Sequence, residues 1–180
     1  MKIPVAKLNA MIRYFGTFTN PDLLGKKKLM KLFYFVDFTH VKNYASPITF
    51  DNYVHLEHGP VPSTIMNLVT AVETDPENSI LIDSMAIETT EGSNLKKIVP
   101  AAKFSEKDED FFSPSELKIM SEVCLRFANK NGKYIEDRSH EENAWSSTYE
   151  LEDIKYTLAV GDPDCLVEKE EIELALLVMG

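Results

Sequence analysis

Between Lys26 and Tyr44 the chain reads KKKLMKLFYFVDFTHVKNY, and Leu29, Met30, Leu32, Phe33, Tyr34, Phe35, Val36, Phe38 and Val41 leave its middle almost no polar side. A helix that is apolar on nearly every face is stable only with other elements packed all round it, so this segment predicts a central helix. With 180 residues, 44% of them hydrophobic, the chain has enough apolar surface for one good core and one domain. The three lysines that open the helix, Lys26 to Lys28, oppose its macrodipole and read as solvated side chains laying their stems along the surface.

The remaining elements group around that helix. Leu8, Met11, Ile12 and Phe15 recur at helical spacing, which predicts a helix from Pro4 to about Phe15 with one buried face. Pro47 stops the central helix, and Ile48 to Glu57 alternates Phe, Tyr, Val and Thr as a strand does. Gly59-Pro60 ends that strand in a corner, and Pro62-Ser63 opens a helix bearing Ile65, Met66, Leu68, Val69 and Val72. Ile80 to Thr89 and Asn94 to Ala102 flank Glu91-Gly92-Ser93 and read as a hairpin. Ser113-Pro114-Ser115-Glu116 spells a capping box, and the helix it starts ends before Gly132, a residue suited to a left-handed terminus. A short helix at Lys133 to Arg138 and a last one at Lys169 to Met179 complete the reading, with Ile154 to Ala159 open between strand and helix. The expected fold is α+β: a mainly helical single domain, residues 1–161, with a small three-stranded antiparallel sheet. Residues 162–180 form an acidic C-terminal segment with a short final helix packed on the same domain.

The net charge of -10 is unevenly spread. Met1 to Pro60 carries eight basic residues against four acidic, whereas Glu136 to Glu173 carries three against thirteen. Phosphate affinity rests on Lys and Arg releasing counterions, so an acidic C-terminal third argues against nucleic acid and for a basic protein partner, or else for a merely solubilising surface. No apolar run approaches the ~18 residues of a membrane span, and MKIPVAKLNAMIRYF lacks the order of a secretory signal, which predicts a cytoplasmic protein without a membrane partner. Cys124 and Cys165 lie far apart without a pairing pattern and read as structural thiols.

Catalytic signatures are absent from the sequence. There is no G-x-S-x-G and no glycine-rich phosphate loop, so no catalytic residue and no cofactor is expected. His55 and His58, three apart on a strand, point to opposite faces, and His140-Glu141-Glu142 lacks the second histidine of a zinc helix because Ala144 stands there. No metal site is expected. Trp145, the only tryptophan, sits in a polar loop, where it either pins the loop to the core or anchors a contact.

Taken in order, Leu29-Met30-Lys31-Leu32-Phe33-Tyr34, Gly59-Pro60-Val61, Ser139-His140-Glu141, Trp145 and Ile154-Lys155-Tyr156 with Ala159 resemble the Panacea, or SocA-like, antitoxin domain family. The resemblance spans about Leu8 to Val160. The family often has Gln where Met30 stands and an aromatic residue where His58 stands. The resemblance implies an antitoxin of a bacterial or phage toxin–antitoxin system that neutralises a cognate toxin protein by direct binding. Delivery of the toxin to a protease, or a small hydrolase with His140 as base and Glu141 orienting it, are the alternatives. The candidate partner-binding residues are His58, Gly59 and Pro60 of the corner with His140, Glu141 and Trp145 of the loop, since polar and aromatic groups on loops held by rigid elements are typical contact sites. For each, a purely local structural role is the competing reading.

Overall fold

The apolar segment is one uninterrupted helix, and the rest of the chain wraps it. The computed structural model describes residues 3–89 and 95–179. In chain order its elements are α1 (Val5–Phe18), α2 (Lys26–Tyr44), β1 (Tyr53–Leu56), β2 (Gly59–Pro62), α3 (Ser63–Thr74), β3 (Met85–Thr89), β4 (Lys96–Pro100), α4 (Glu106–Glu109), α5 (Pro114–Phe127), α6 (Gly132–His140), α7 (Asn143–Ser146), β5 (Asp153–Ile154) and α8 (Lys169–Met179). A 3-10 helix, Tyr156–Gly161, joins β5 to the last stretch. The chain is α+β and mainly helical, as its sequence predicts, and α2 packs against α5, α6, β2 and the 3-10 helix.

Why α2 lies at the centre is visible residue by residue. Leu29, Leu32, Phe33, Tyr34, Val36 and Val41 are fully buried, and five polar residues of the same helix are buried with them: Lys28, Lys31, Asp37, His40 and Lys42. Polar groups removed from water need partners. The three opening lysines separate accordingly. Lys27 is exposed and pairs with Glu136 (2.6 Å), Lys26 donates to the Thr70 hydroxyl (2.7 Å), and Lys28 is buried, donating to the Ala128 carbonyl (3.0 Å). Lys28 therefore departs from the expected solvated trio, and burial pushes its pKa down to about 8.

Asp37 is the most connected of these groups. Its Oδ1 accepts the Ile48 and Thr49 amides (2.8 Å each), and its Oδ2 accepts hydroxyls from Thr49, Tyr53 (2.9 Å) and Tyr156 (3.2 Å). Burial raises its pKa, and these donors pull the other way. Asp51 continues the network: its backbone carbonyl accepts from the Tyr156 hydroxyl (2.8 Å), while its carboxylate accepts the Thr64 and Ile65 amides (3.1 and 2.8 Å). Those amides are the unpaired donors at the start of α3, so Asp51 caps a helix whose own N-cap residue, Pro62, has no side-chain oxygen to offer.

The sheet architecture differs in membership from the strands read off the sequence. The three-stranded antiparallel sheet has the order β2-β1-β5, with Tyr53 opposite both Pro62 and Ile154, and β3-β4 forms a separate two-stranded sheet. The corner at Gly59-Pro60 thus does not end the first strand's pairing; it starts β2, and Glu57-His58 is a two-residue hairpin turn between Leu56 and Gly59. The turn expected at Glu91-Gly92-Ser93 lies outside the described residues. Ser113 and Glu116 form the predicted capping box. Gly132, by contrast, is not a left-handed terminus: it opens α6, whose cap is Asn131, the side chain of which accepts the Tyr134 amide (2.9 Å). A left-handed residue does end α2, but it is Ala45, at φ 61°.

The Leu166 amide ties the last stretch to the C-terminal end of α2 by donating to the Lys42 carbonyl (2.8 Å), and α8, whose Ile172 is fully buried, packs against the 3-10 helix. Lys42, 3% exposed, gathers Glu142 (2.7 Å), Asp164 (3.0 Å) and Asp162 (3.7 Å) around its amine. Burial opposes its charge, yet the three carboxylates outweigh burial and hold its pKa above the ordinary lysine value.

Candidate functional site

The corner and the histidine–tryptophan loop, distant in sequence, meet against the N-terminal half of α2. Lys31, one turn into α2, is 1% exposed and donates to the Pro60 carbonyl at 2.7 Å. Its amine is the peg that holds the hairpin down. Burial is the chief reason its pKa falls to about 7, with Glu136 opposing. Gly59 adopts φ 91°, a conformation that disfavours any side chain. A Cβ there would lie 2.7 Å from Ser139 Oγ, 2.9 Å from Lys31 Cε and 3.1 Å from His140 Nε2. Glycine is therefore required twice, by its backbone and by the approach of α6.

His140 ends α6, and its ring stacks on Trp145 with centroids 3.9 Å apart and planes 12° apart. Trp145 also stacks with His55 of β1, at 4.3 Å and 22°. His55 is fixed in turn by Thr148, whose hydroxyl lies 2.9 Å from His55 Nδ1 and donates to the Trp145 carbonyl (2.9 Å). The loop is thus pinned to β1 through an imidazole–indole–imidazole stack, and Trp145 remains only partly buried. His140 Nε2 and Trp145 Nε1 are both buried without a hydrogen-bond partner among the described residues. Burial lowers the pKa of His140, with Glu136 opposing and Lys31 assisting.

Of the six residues singled out from sequence, Gly59, Pro60, His140 and Trp145 form this one assembly. His58 stands at its rim, its side chain 62% exposed and its Nδ1 3.5 Å from Glu136 Oε1. Glu141 does not orient His140: its exposed carboxylate pairs with Arg138 at 2.5 Å. The arrangement that a histidine base would need is absent at this pair. Among the described residues, no group of three or more His, Cys, Asp or Glu side chains is placed to hold a metal ion. Cys124 is buried, its pKa pushed up to about 12 by burial, and behaves as a hydrophobe.

Sequence reasoning missed His55 and Lys31 as members of the site. The signal for Lys31 was available: a lysine in the apolar middle of a helix has to find an acceptor. His55 gave no comparable signal, because its partner ring arrives from a loop far along the chain.

What these residues assemble is a small helix-centred α+β domain presenting a rigid aromatic and polar surface. A family model described as antitoxin SocA-like, Panacea domain, matches residues 29–146, well over half of the chain, and the chain belongs to that family. The match begins at Leu29 of α2 and ends at Ser146, one residue past the stacked tryptophan. Neither a curated protein nor a solved structure matches the chain. Membership suggests a toxin–antitoxin role, a toxin as partner and a non-enzymatic function. Among the described residues, no helix is long and apolar enough to cross a membrane.

Proposed function

We propose that this protein is an antitoxin that neutralises its cognate toxin by direct protein–protein binding, and that the surface it uses is the corner of His58, Gly59 and Pro60 with the loop of His140, Glu141 and Trp145. One observation carries this reading. Five of the residues that mark the family, Lys31, Gly59, Pro60, His140 and Trp145, converge on a single pinned surface, where Lys31 holds the hairpin, His55 and His140 hold the indole, and two buried ring nitrogens remain unpaired. A rigid, partly exposed aromatic is the anatomy of a binding hot spot, because little side-chain entropy is lost when a partner covers it. Steering comes from exposed acids near the loop, Glu141, Glu150 and Glu152. Glu142 is not among them, since its carboxylate is committed to the buried Lys42.

The test is co-expression with the product of the adjacent gene, followed by growth rescue and pull-down. Trp145→Ala and His58→Ala are both expected to weaken toxin binding at least tenfold, a loss of about 1.4 kcal/mol. His58 is solvent-exposed, so its variant keeps the fold and separates contact from stability. Undiminished neutralisation by both variants would place the interface elsewhere. Purified protein that protects cells only when a protease is present would favour the adaptor mechanism instead.

A further inference from the structure

The helix that carries Trp145 is too short to hold itself. α7 has four residues, Asn143–Ser146, and helices of that length form only when something outside them fixes their turns. The family match stops at Ser146, the last residue of α7, yet three of its anchors lie beyond the match. Asp162 Oδ1 accepts the Asn143 amide (2.7 Å), the first amide of the helix and one of those that no intrahelical acceptor can serve. The Asn143 side-chain amide donates to the Leu158 carbonyl (2.8 Å). Gly161 packs so closely under that side chain that a Cβ there would overlap Asn143 Nδ2.

A fourth anchor comes from α2. Lys42 holds the carboxylate of Glu142, the N-cap residue of α7, at 2.7 Å, and the Glu142 carbonyl accepts the Trp145 amide (3.2 Å). Asp162 stands at both attachments. Its Oδ1 caps α7, while its Oδ2 lies 3.7 Å from Lys42 Nζ and has no hydrogen-bond partner among the described residues. One carboxylate neutralises one amine, and Lys42 already has Glu142 and Asp164 within 3.0 Å. A third acid there adds repulsion rather than pairing. Burial foremost, with Asp162 and Asp164 adding to it, raises the pKa of Glu142 against the pull of Lys42. The ion pair therefore does not account for Asp162. Its bond to Asn143 does.

We propose that Asp162 is a positioning residue for the contact surface: by capping α7 at Asn143 it holds Trp145 in its stack with His55 and His140, so that a residue beyond the family match decides how the indole is presented to a partner. The geometry stands on its own, and its consequence for binding rests on the corner-and-loop reading.

The full chain tests this through its only tryptophan. Asp162→Ala removes the cap and is expected to raise acrylamide quenching of Trp145 about twofold, because the loop opens more often, with unchanged circular dichroism well below the melting temperature. Gly161→Ala, which pushes on Asn143 without altering any charge, is expected to loosen the loop likewise. Asp162→Asn gives up the charge but keeps an oxygen for the Asn143 amide, and is expected to quench like wild type. A role confined to the Lys42 cluster would instead make the alanine and asparagine variants alike. Binding of the cognate toxin is expected to fall about tenfold in Asp162→Ala and to fall no further when that change is added to Trp145→Ala, as for two residues acting through one contact. Wild-type quenching in Asp162→Ala and Gly161→Ala, equal responses to alanine and asparagine at position 162, or additive binding losses in the double variant would each overturn the proposal, while a weakened Trp145→Ala would leave the corner-and-loop reading in place. Binding untouched by Trp145→Ala would overturn that reading, and the role of Asp162 with it.

Discussion

The two ends of α2 handle buried polarity in opposite ways. Toward the C-terminal end, Asp37 meets five donors, and Lys42 meets three carboxylates. Toward the N-terminal end, Lys31 has one carbonyl, while the nearby His140 Nε2 and Trp145 Nε1 have no partner among the described residues. A buried polar group costs free energy when left unpaired, so the Asp37 cluster, with every donor answered, is where stability is concentrated, while the Tyr34 hydroxyl and Asp162 Oδ2 beside the Lys42 cluster also lack a hydrogen-bond partner among the described residues. The undersupplied end is where the proposed contact surface lies. One helix thus serves as frame at one end and backs the proposed contact surface at the other.

The sharpest way to break this contrast is to empty the saturated end. Asp37→Ala strands two amides and three hydroxyls, each unsatisfied group costing about 1–3 kcal/mol, and the expected net loss after relaxation is about 3–5 kcal/mol by urea unfolding. A loss below about 1 kcal/mol would mean that the network is incidental to the fold.

Next in size is Gly59→Ala. It combines a left-handed backbone with contacts under 3 Å to Ser139 and Lys31, for an expected cost of about 1–3 kcal/mol. Here stability and neutralisation should fall together, because the shift that relieves the clash moves His140 off Trp145. Neutralisation untouched by the substitution would separate the corner from the contact surface.

The smallest effect is a pH dependence. The folded pKa of His140 lies below the ordinary 6.5, so between the two values the unfolded chain holds the extra proton. Stability therefore falls as pH drops from 6.5 through the folded pKa, and this group contributes no pH dependence above that window. Since Trp145 is the only tryptophan and stacks on this imidazole, its fluorescence reports the titration directly. His140→Gln should abolish the step; an unchanged fluorescence titration in that variant would assign it to another group.

The parts legible in the sequence were those with a strong local cause. The bounds of α2 followed from nineteen residues of continuous helical pattern, and the start of α5 from a four-residue capping box. The strand β2 was hidden because it is four residues long and two of them are proline, a residue that donates no ladder bond and depresses any strand pattern. The two-residue β5 is created only by its pairing to β1. At the site, Gly59, Pro60, His140 and Trp145 were legible as a group through family resemblance. The contact of His55 with Trp145, and of Asp37 with Tyr156, depended on tertiary packing between segments that share no sequence signal. A single Asp within FYFVDF did carry a hint, since an acid surrounded by buried aromatics must be answered by donors from elsewhere.

The hydrogen bond from Tyr156 to Asp37 joins residues 119 apart. On the ribosome the aspartate emerges long before the tyrosine, and for that interval its carboxylate has amides and hydroxyls from the neighbouring turn but not the phenol that also clasps Asp51. The domain's hub is thus closed by one of its late-synthesised residues, so a chain that ends after α6 lacks one of the five donors of its buried acid.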